Sequence, residues 1–209
     1  MIRRLAIVSL LALSWPVGTA AQQAAVPGPG PQELMQQTAQ RMLDALEKDR
    51  AVYRKDPAKV NALVDQILLP HFDTEYSAQL VLGTHWRAAT VEQRKRFIDG
   101  FYHSLLNKYG AALAGFTADR MTILPFRGDL ASGRATVKTE VTTDDGKQVP
   151  VNYSMRATPK GWKAWDVTIE GISYVKTFRT DVGAEVDQRG LDAVIARLES
   201  EARASHGKS

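Results

Sequence analysis

The residues able to do chemistry in this chain are few and scattered. Four histidines, His71, His85, His103 and His206, stand at no metal-ligand spacing, and a zinc-type site needs three or four convergent ligands. His71-Phe72-Asp73 is better read as a helix start, with Asp73 near its cap. His103-Ser104 lies in the middle of a helical pattern, where adjacent side chains point to different faces and nothing is placed to activate a serine. There is no cysteine, so thiol chemistry, thiolate metal sites and disulfides are all excluded. The carboxylate pairs Asp144/Asp145 and Asp73/Glu75 fit a turn and a helix start respectively. Gly28 and Gly30 follow no strand, and Gly110 and Gly115 read as helix breakers, so no phosphate loop is present.

Two features could still act. Asp166 stands mid-strand near Trp162 and Trp165, either as a general base in an apolar cavity or in an ion pair, with Arg179 as the tempting partner. One carboxylate without a companion acid favours the structural role. Arg94, Lys95 and Arg96, with Arg87 upstream, form a basic cluster. It reads first as a solvated helix face and second as a docking surface for an acidic partner or anionic headgroup. These residues point to no metal, no cofactor and no catalytic group.

The elements that must position them begin after an export address. Arg3 and Arg4 precede an apolar run, Leu5 to Leu13, and small residues from Gly18 to Ala21 supply a cleavage site after Ala21, so residues 1–21 read as a signal peptide. The apolar run is far short of the roughly 20 residues that span a bilayer. Its two arginines leave with it, taking the formal charge from +4 to +2, too balanced for a nucleic-acid footprint. Residues 22–31, rich in Pro and Gly, form a flexible leader. Residues 32–199 form one domain and 200–209 a polar, frayed tail.

Helical spacing marks Gln32 to Arg50, through Leu34, Met35, Thr38, Met42, Leu43 and Leu46. Asp56-Pro57 starts a second helix that stops at Pro70. A third runs from Asp73 to Leu82, with Phe72, Tyr76, Gln79 and Leu80 on one side and Gly83 ending it. Thr90 and Gln93 have capping-box spacing. Phe97, Phe101, Leu105, Tyr109 and Leu113 follow, flanked by Ile98, Tyr102 and Leu106, an unusually wide apolar face. From Met121 the period becomes two, giving an antiparallel meander of about four strands with turns at Asp144 to Lys147 and Thr158 to Gly161. The last strand places Trp165, Val167 and Ile169 on one face and Trp162, Ala164, Asp166 and Thr168 on the other. Helical spacing returns from Val175 to Val186 and from Leu191 to Leu198. The fold class is α+β: a curved antiparallel sheet wrapped by N- and C-terminal helices.

Four blocks in order carry a family likeness: Leu63 to Pro70, Tyr76 to Gly83, the Gln93/Phe97/Phe101/Tyr109 helix, and Trp162 to Ser173. With the signal peptide, they make the chain resemble the MlaC family, periplasmic phospholipid-binding proteins also known for toluene tolerance. The resemblance covers about Leu34 to Leu198.

It implies an NTF2-like sheet enclosing an apolar cavity and a monomeric periplasmic carrier of diacyl phospholipid. Its implied partners are an outer-membrane lipoprotein complex and an inner-membrane ABC transporter with an MCE-domain subunit. The cavity is expected between the sheet and the long helix. Ile172, in the middle of Gly171-Ile172-Ser173, matches the apolar centre of the family's motif. Val137, Val151, Tyr153, Tyr174 and Val175 are its expected companions, with Leu80, Phe97, Phe101 and Leu105 from the helices. Two alternatives stand beside this reading. One is an NTF2-like enzyme on a small hydrophobic substrate, using Asp166, and the other is a carrier of a different apolar ligand.

Overall fold

The computed structural model describes residues 26–113, 120–143 and 145–204. The export segment, the first residues of the leader, Gly115, Asp144 and His206 lie outside the described residues.

Among the described residues, five helices lead up to the long one. α1 (Pro31–Lys48) buries Leu34, Thr38, Met42, Leu43 and Leu46, five of the six positions read from its spacing, and leaves Met35 half-buried. A short α2 (Arg50–Lys55) follows, which that spacing did not reveal, and then α3 (Pro57–Ile67). The Asp56 carboxylate caps α3 by accepting from Ala58 N, and Pro57 occupies the first turn. After a 3-10 turn at Leu69–His71, Asp73 caps α4 (Thr74–Leu82) by accepting from Tyr76 N. Gly83 ends α4 at φ 54 and ψ −117, a conformation that needs the absence of a Cβ. The buried side of α4 is Ala78, Val81 and Leu82, not the side of Tyr76 and Leu80 that the apolar spacing suggested. α5 (His85–Ala88) is one turn.

α6 (Val91–Leu113) starts on a complete capping box. Thr90 Oγ1 accepts from Gln93 N at 3.1 Å, and Gln93 Oε1 accepts from Thr90 N at 2.9 Å. Its wide apolar face serves two cores. Phe97 and Phe101 pack with Ala78, Val81 and Leu82 of α4 and with buried residues of α7 (Tyr174–Arg189) and α8 (Leu191–Ala204). Leu106 turns the other way, onto Met42 and Leu46 of α1 and Val60, Leu63 and Val64 of α3. Each such side chain, wholly buried, contributes about 1.5–3 kcal/mol.

Among the described residues the sheet has five strands, in the order β1 (Met121–Ile123), β2 (Arg134–Thr142), β3 (Gln148–Thr158), β4 (Gly161–Ile169), β5 (Ile172–Ser173), every neighbouring pair antiparallel. The strand beyond the four of the sequence reading is β5, too short to show a period of two. Strict alternation fails on β4. Ser154 pairs with Asp166 and Met155 with Ala164, which leaves Trp165 as an extra residue in a β-bulge. The bulge lets Trp162 and Ala164 share a face with Val167 and Ile169, where alternation alone had set them apart. On that face Leu34 of α1 meets Val137, Met155, Trp162 and Ala164, the third core.

α8 runs on to Ala204, past Ser200, where the sequence reading began its frayed tail. Contacts hold the extra turn: Arg197 Nη1 to Glu201 Oε1 at 2.7 Å, and Asn107 Nδ2 donating to the Ala202 carbonyl at 3.0 Å.

Candidate functional site

The block richest in the family likeness, Trp162 to Ser173, folds as β4, a tight turn and β5, and leads directly into α7. The turn uses Glu170 at φ 50 and Gly171 at φ 83, left-handed conformations that reverse the chain within two residues. Ile172 then pairs with Ile169 and stands 61% exposed, a large apolar side chain at the tip of a hairpin. Ser173 ends β5 and caps α7, its Oγ accepting from Lys176 N at 3.1 Å.

Asp166 is only 5% exposed and serves this junction. Its Oδ2 accepts from Ser173 Oγ at 2.6 Å and its Oδ1 from Val175 N at 3.0 Å. The carboxylate therefore ties the start of α7 to β4 and satisfies a backbone donor that the helix itself cannot. Arg179 is not its partner. That guanidinium lies against Gly83, where a Cβ would come within 3.2 Å of Nε. The signal for Ser173 is local, a serine just ahead of helical spacing.

Six of the ten expected lining residues divide between two cores. Val137 and Tyr153 belong to the sheet core under α1, and burial pushes the Tyr153 hydroxyl pKa up. Val151, also buried, pairs with Thr139 and Ile169, and its carbonyl accepts from Thr139 Oγ1 at 2.8 Å. Phe97 and Phe101 stack with centroids 5.5 Å apart in the helical core, with Leu105 and Val175 packed against it. Phe178 meets Phe101 edge-on at 5.1 Å and lies 6.1 Å from Tyr174, which places Tyr174 at the margin of that core. Leu80 is half-buried. A separate open cleft of about 450 Å³ lies between α2 and α3, lined by Asp49, Val52, Tyr53, Lys59, Ala62, Leu63 and Gln66. Part of it is built by the short helix that the sequence did not reveal.

The remaining polar candidates have structural occupations. His71 Nε2 lies 3.1 Å from Arg41 Nη2. Partial burial, then Arg41 and Lys163, hold its pKa below 6.5. His85 faces Asp187 at 3.4 Å, and His103 packs on Tyr102. Ser104 Oγ donates to Glu201 Oε2. Among the described residues no three His, Asp or Glu side chains are grouped as metal ligands. In the basic cluster, Arg94 stacks 5.0 Å over Trp86 and donates to its carbonyl, while Arg96 makes a two-pronged pair with Glu199 at 2.8 and 2.9 Å. Two of its four cations are thus engaged in holding helices together.

The sequence matches the family profile described as MlaC protein over residues 36–200. The chain belongs to the MlaC family. The toluene tolerance protein ttg2D of Pseudomonas putida is 29% identical over 192 residues, 91% of this chain and 86% of that protein. The intermembrane phospholipid transport system binding protein MlaC of Haemophilus influenzae is 23% identical over 184 residues, 86% of each chain. Among solved structures, the phospholipid-binding protein of Ralstonia solanacearum, in complex with a phospholipid, superposes with a TM-score of 0.78 at 25% identity. The match covers 85% of this chain and 99% of that one, so the MlaC α+β fold extends over nearly all the described residues.

Proposed function

We propose that this chain is a periplasmic carrier that takes a diacyl glycerophospholipid from one membrane complex and delivers it to another. The observation that carries the reading is the likeness in fold, over 85% of the chain, to a protein solved with a phospholipid bound. Physical chemistry supplies the rest. Two acyl chains of roughly 30 methylenes, at about 0.8 kcal/mol each, must be kept from water in transit. Only an apolar cavity inside a protein can offset that loss away from a membrane.

The cavity of this reading opens between the sheet and the helical core. Val137, Val151 and Tyr153 line it from the strands, with Phe97, Phe101, Leu105 and Val175 from the helices and Leu80 and Tyr174 at its margins. Ile172 sits on the lip, where an acyl chain would cover a side chain now facing water. The headgroup stays at the mouth in water. The partners are an outer-membrane lipoprotein complex and an inner-membrane ABC transporter with an MCE-domain subunit, reached in the periplasm after the export segment is removed. The reading asks for no catalytic group, and both oxygens of Asp166 are committed to Ser173 and Val175.

Native mass spectrometry of protein purified without detergent, followed by extraction of the ligand, tests the reading. A diacyl phospholipid retained by the protein is the expected result. An empty protein, or one loaded with a different hydrophobe, would refute it.

A further inference from the structure

The pairing of β2, β3 and β4 produces a row that cannot be seen until the register is known. Arg134 stands directly across from Arg156, and Arg156 directly across from Lys163. Directly opposed side chains on one face interact, and like charges there are destabilising. The row continues at the sheet edge. Phe72 makes a parallel bridge to Ala164, which brings His71 beside Lys163, and His71 in turn meets Arg41. Three permanent cations, Arg134, Arg156 and Lys163, thus follow one line, with Arg41 reached through His71 at the sheet edge and the Asp73 carboxylate on Arg156 Nε at 2.6 Å as counter-charge.

The row is held in place rather than splayed into solvent. The Arg156 guanidinium lies 4.2 Å from the Tyr76 ring centroid, and that of Arg134 lies 5.8 Å from Tyr76 and 5.9 Å from Trp165. Arg134 also donates to the Tyr76 hydroxyl at 3.2 Å. Tyr76 and Trp165 pack edge to face, and the bulge at Trp165 seats that ring on the same side of the sheet as Arg134 and Arg156. Arg134, Thr136 and Lys138 are exposed along β2.

We propose that this rung is a docking surface for an acidic segment of a protein partner. Three arguments select that occupant. The cations are spread across three strands, roughly 10 Å at the usual strand spacing, rather than converging on one point as a lone phosphate would require. The aromatic rings lie under the arginines, so they offer no bare apolar group for insertion into a bilayer. Arg, Tyr and Trp are also the residue types that dominate binding energy at protein interfaces. Opposed like charges then carry a use: a row of carboxylates relieves repulsion that the free protein must bear.

The inference stands apart from the cargo reading, and the two fail separately. The test is a titration of the full-length mature protein with a fluorescently labelled glutamate-rich peptide, followed by anisotropy at low and at physiological salt. The expected result is binding that weakens as salt rises and that drops at least about tenfold in an Arg134→Glu/Lys163→Glu variant. An Arg134→Gln/Lys163→Gln variant, milder toward folding, should lie between. Extracted phospholipid should be the same in all three proteins. Unchanged peptide binding in both variants would overturn the proposal. So would a parent protein that ignores the peptide yet binds phosphatidylglycerol vesicles or inorganic phosphate. Loss of cargo together with peptide binding would also overturn it, since the row would then serve cargo retention.

Discussion

At the scale of single residues, Asp166 shows how far a sequence can be read. A lone carboxylate on a half-buried strand, with no second acid in the pattern, points to structure rather than catalysis. The structure supplies what it does: a buried acceptor for Ser173 Oγ and Val175 N at the entry to α7. Its partner was not legible, because Arg179 lies at a plausible distance along the chain while α7 carries that side chain across to Gly83. Asp166→Asn keeps the shape but replaces a double acceptor with a group that can accept at one atom only. One of the two donors is then left wanting, at a cost of about 1–3 kcal/mol. Urea denaturation should show the lower midpoint, with the phospholipid content of the purified protein unchanged. A variant of full stability that no longer held lipid would place Asp166 in the binding site instead.

At the scale of elements, most of the helices could be read because their caps and stripes are local. The Thr90/Gln93 box, Asp56-Pro57, Asp73 and Gly83 act within a few residues of where they stand in the chain. Less was legible where neighbours decide. The width of the α6 face was plain, but not that it divides between α1 and α3 on one side and α4, α7 and α8 on the other. The α6–α8 crossing depends on a residue without a side chain. A Cβ on Gly100 would stand 3.2 Å from Leu198 Cβ and 3.4 Å from Glu199 N. Gly100→Ala gains helix propensity of about 1 kcal/mol but forces apart a contact that includes backbone, costing about 1–3 kcal/mol. The expected net result is a lower melting temperature by calorimetry. A clear rise would mean that α8 shifts freely on α6.

At the scale of the whole molecule, the fold class and the family were legible from four blocks in order, while the geometry of the candidate site was not. The ten residues chosen for it are apolar or aromatic, yet apolar spacing cannot tell the sheet core from the helical core. The basic rung was hidden more thoroughly, since Arg134, Arg156 and Lys163 are distant in sequence and meet only through register. Ile172 bears on the carrier reading as a whole. Its exposure means that Ile172→Glu should leave the unfolding free energy, read by urea denaturation, within about 0.5 kcal/mol of the parent. The same variant should lose co-purifying phospholipid on extraction. Full lipid content in a folded variant would remove Ile172 from the lip.

The order of events in folding is written into the sheet. Each of its strands pairs with its neighbour in sequence, so the meander can zip through short-range contacts, the kind that make folding fast. The third core is different, because Leu34 must return across most of the domain to reach Val137 and Met155. Closing so long a loop before the sheet exists would spend chain entropy for little return. The Leu34 end of α1 is therefore expected to dock late, over a sheet already formed, whereas its Met42 and Leu46 end meets α3 through short-range contacts. A weakened Leu34 contact would then quicken unfolding while leaving the folding rate nearly untouched.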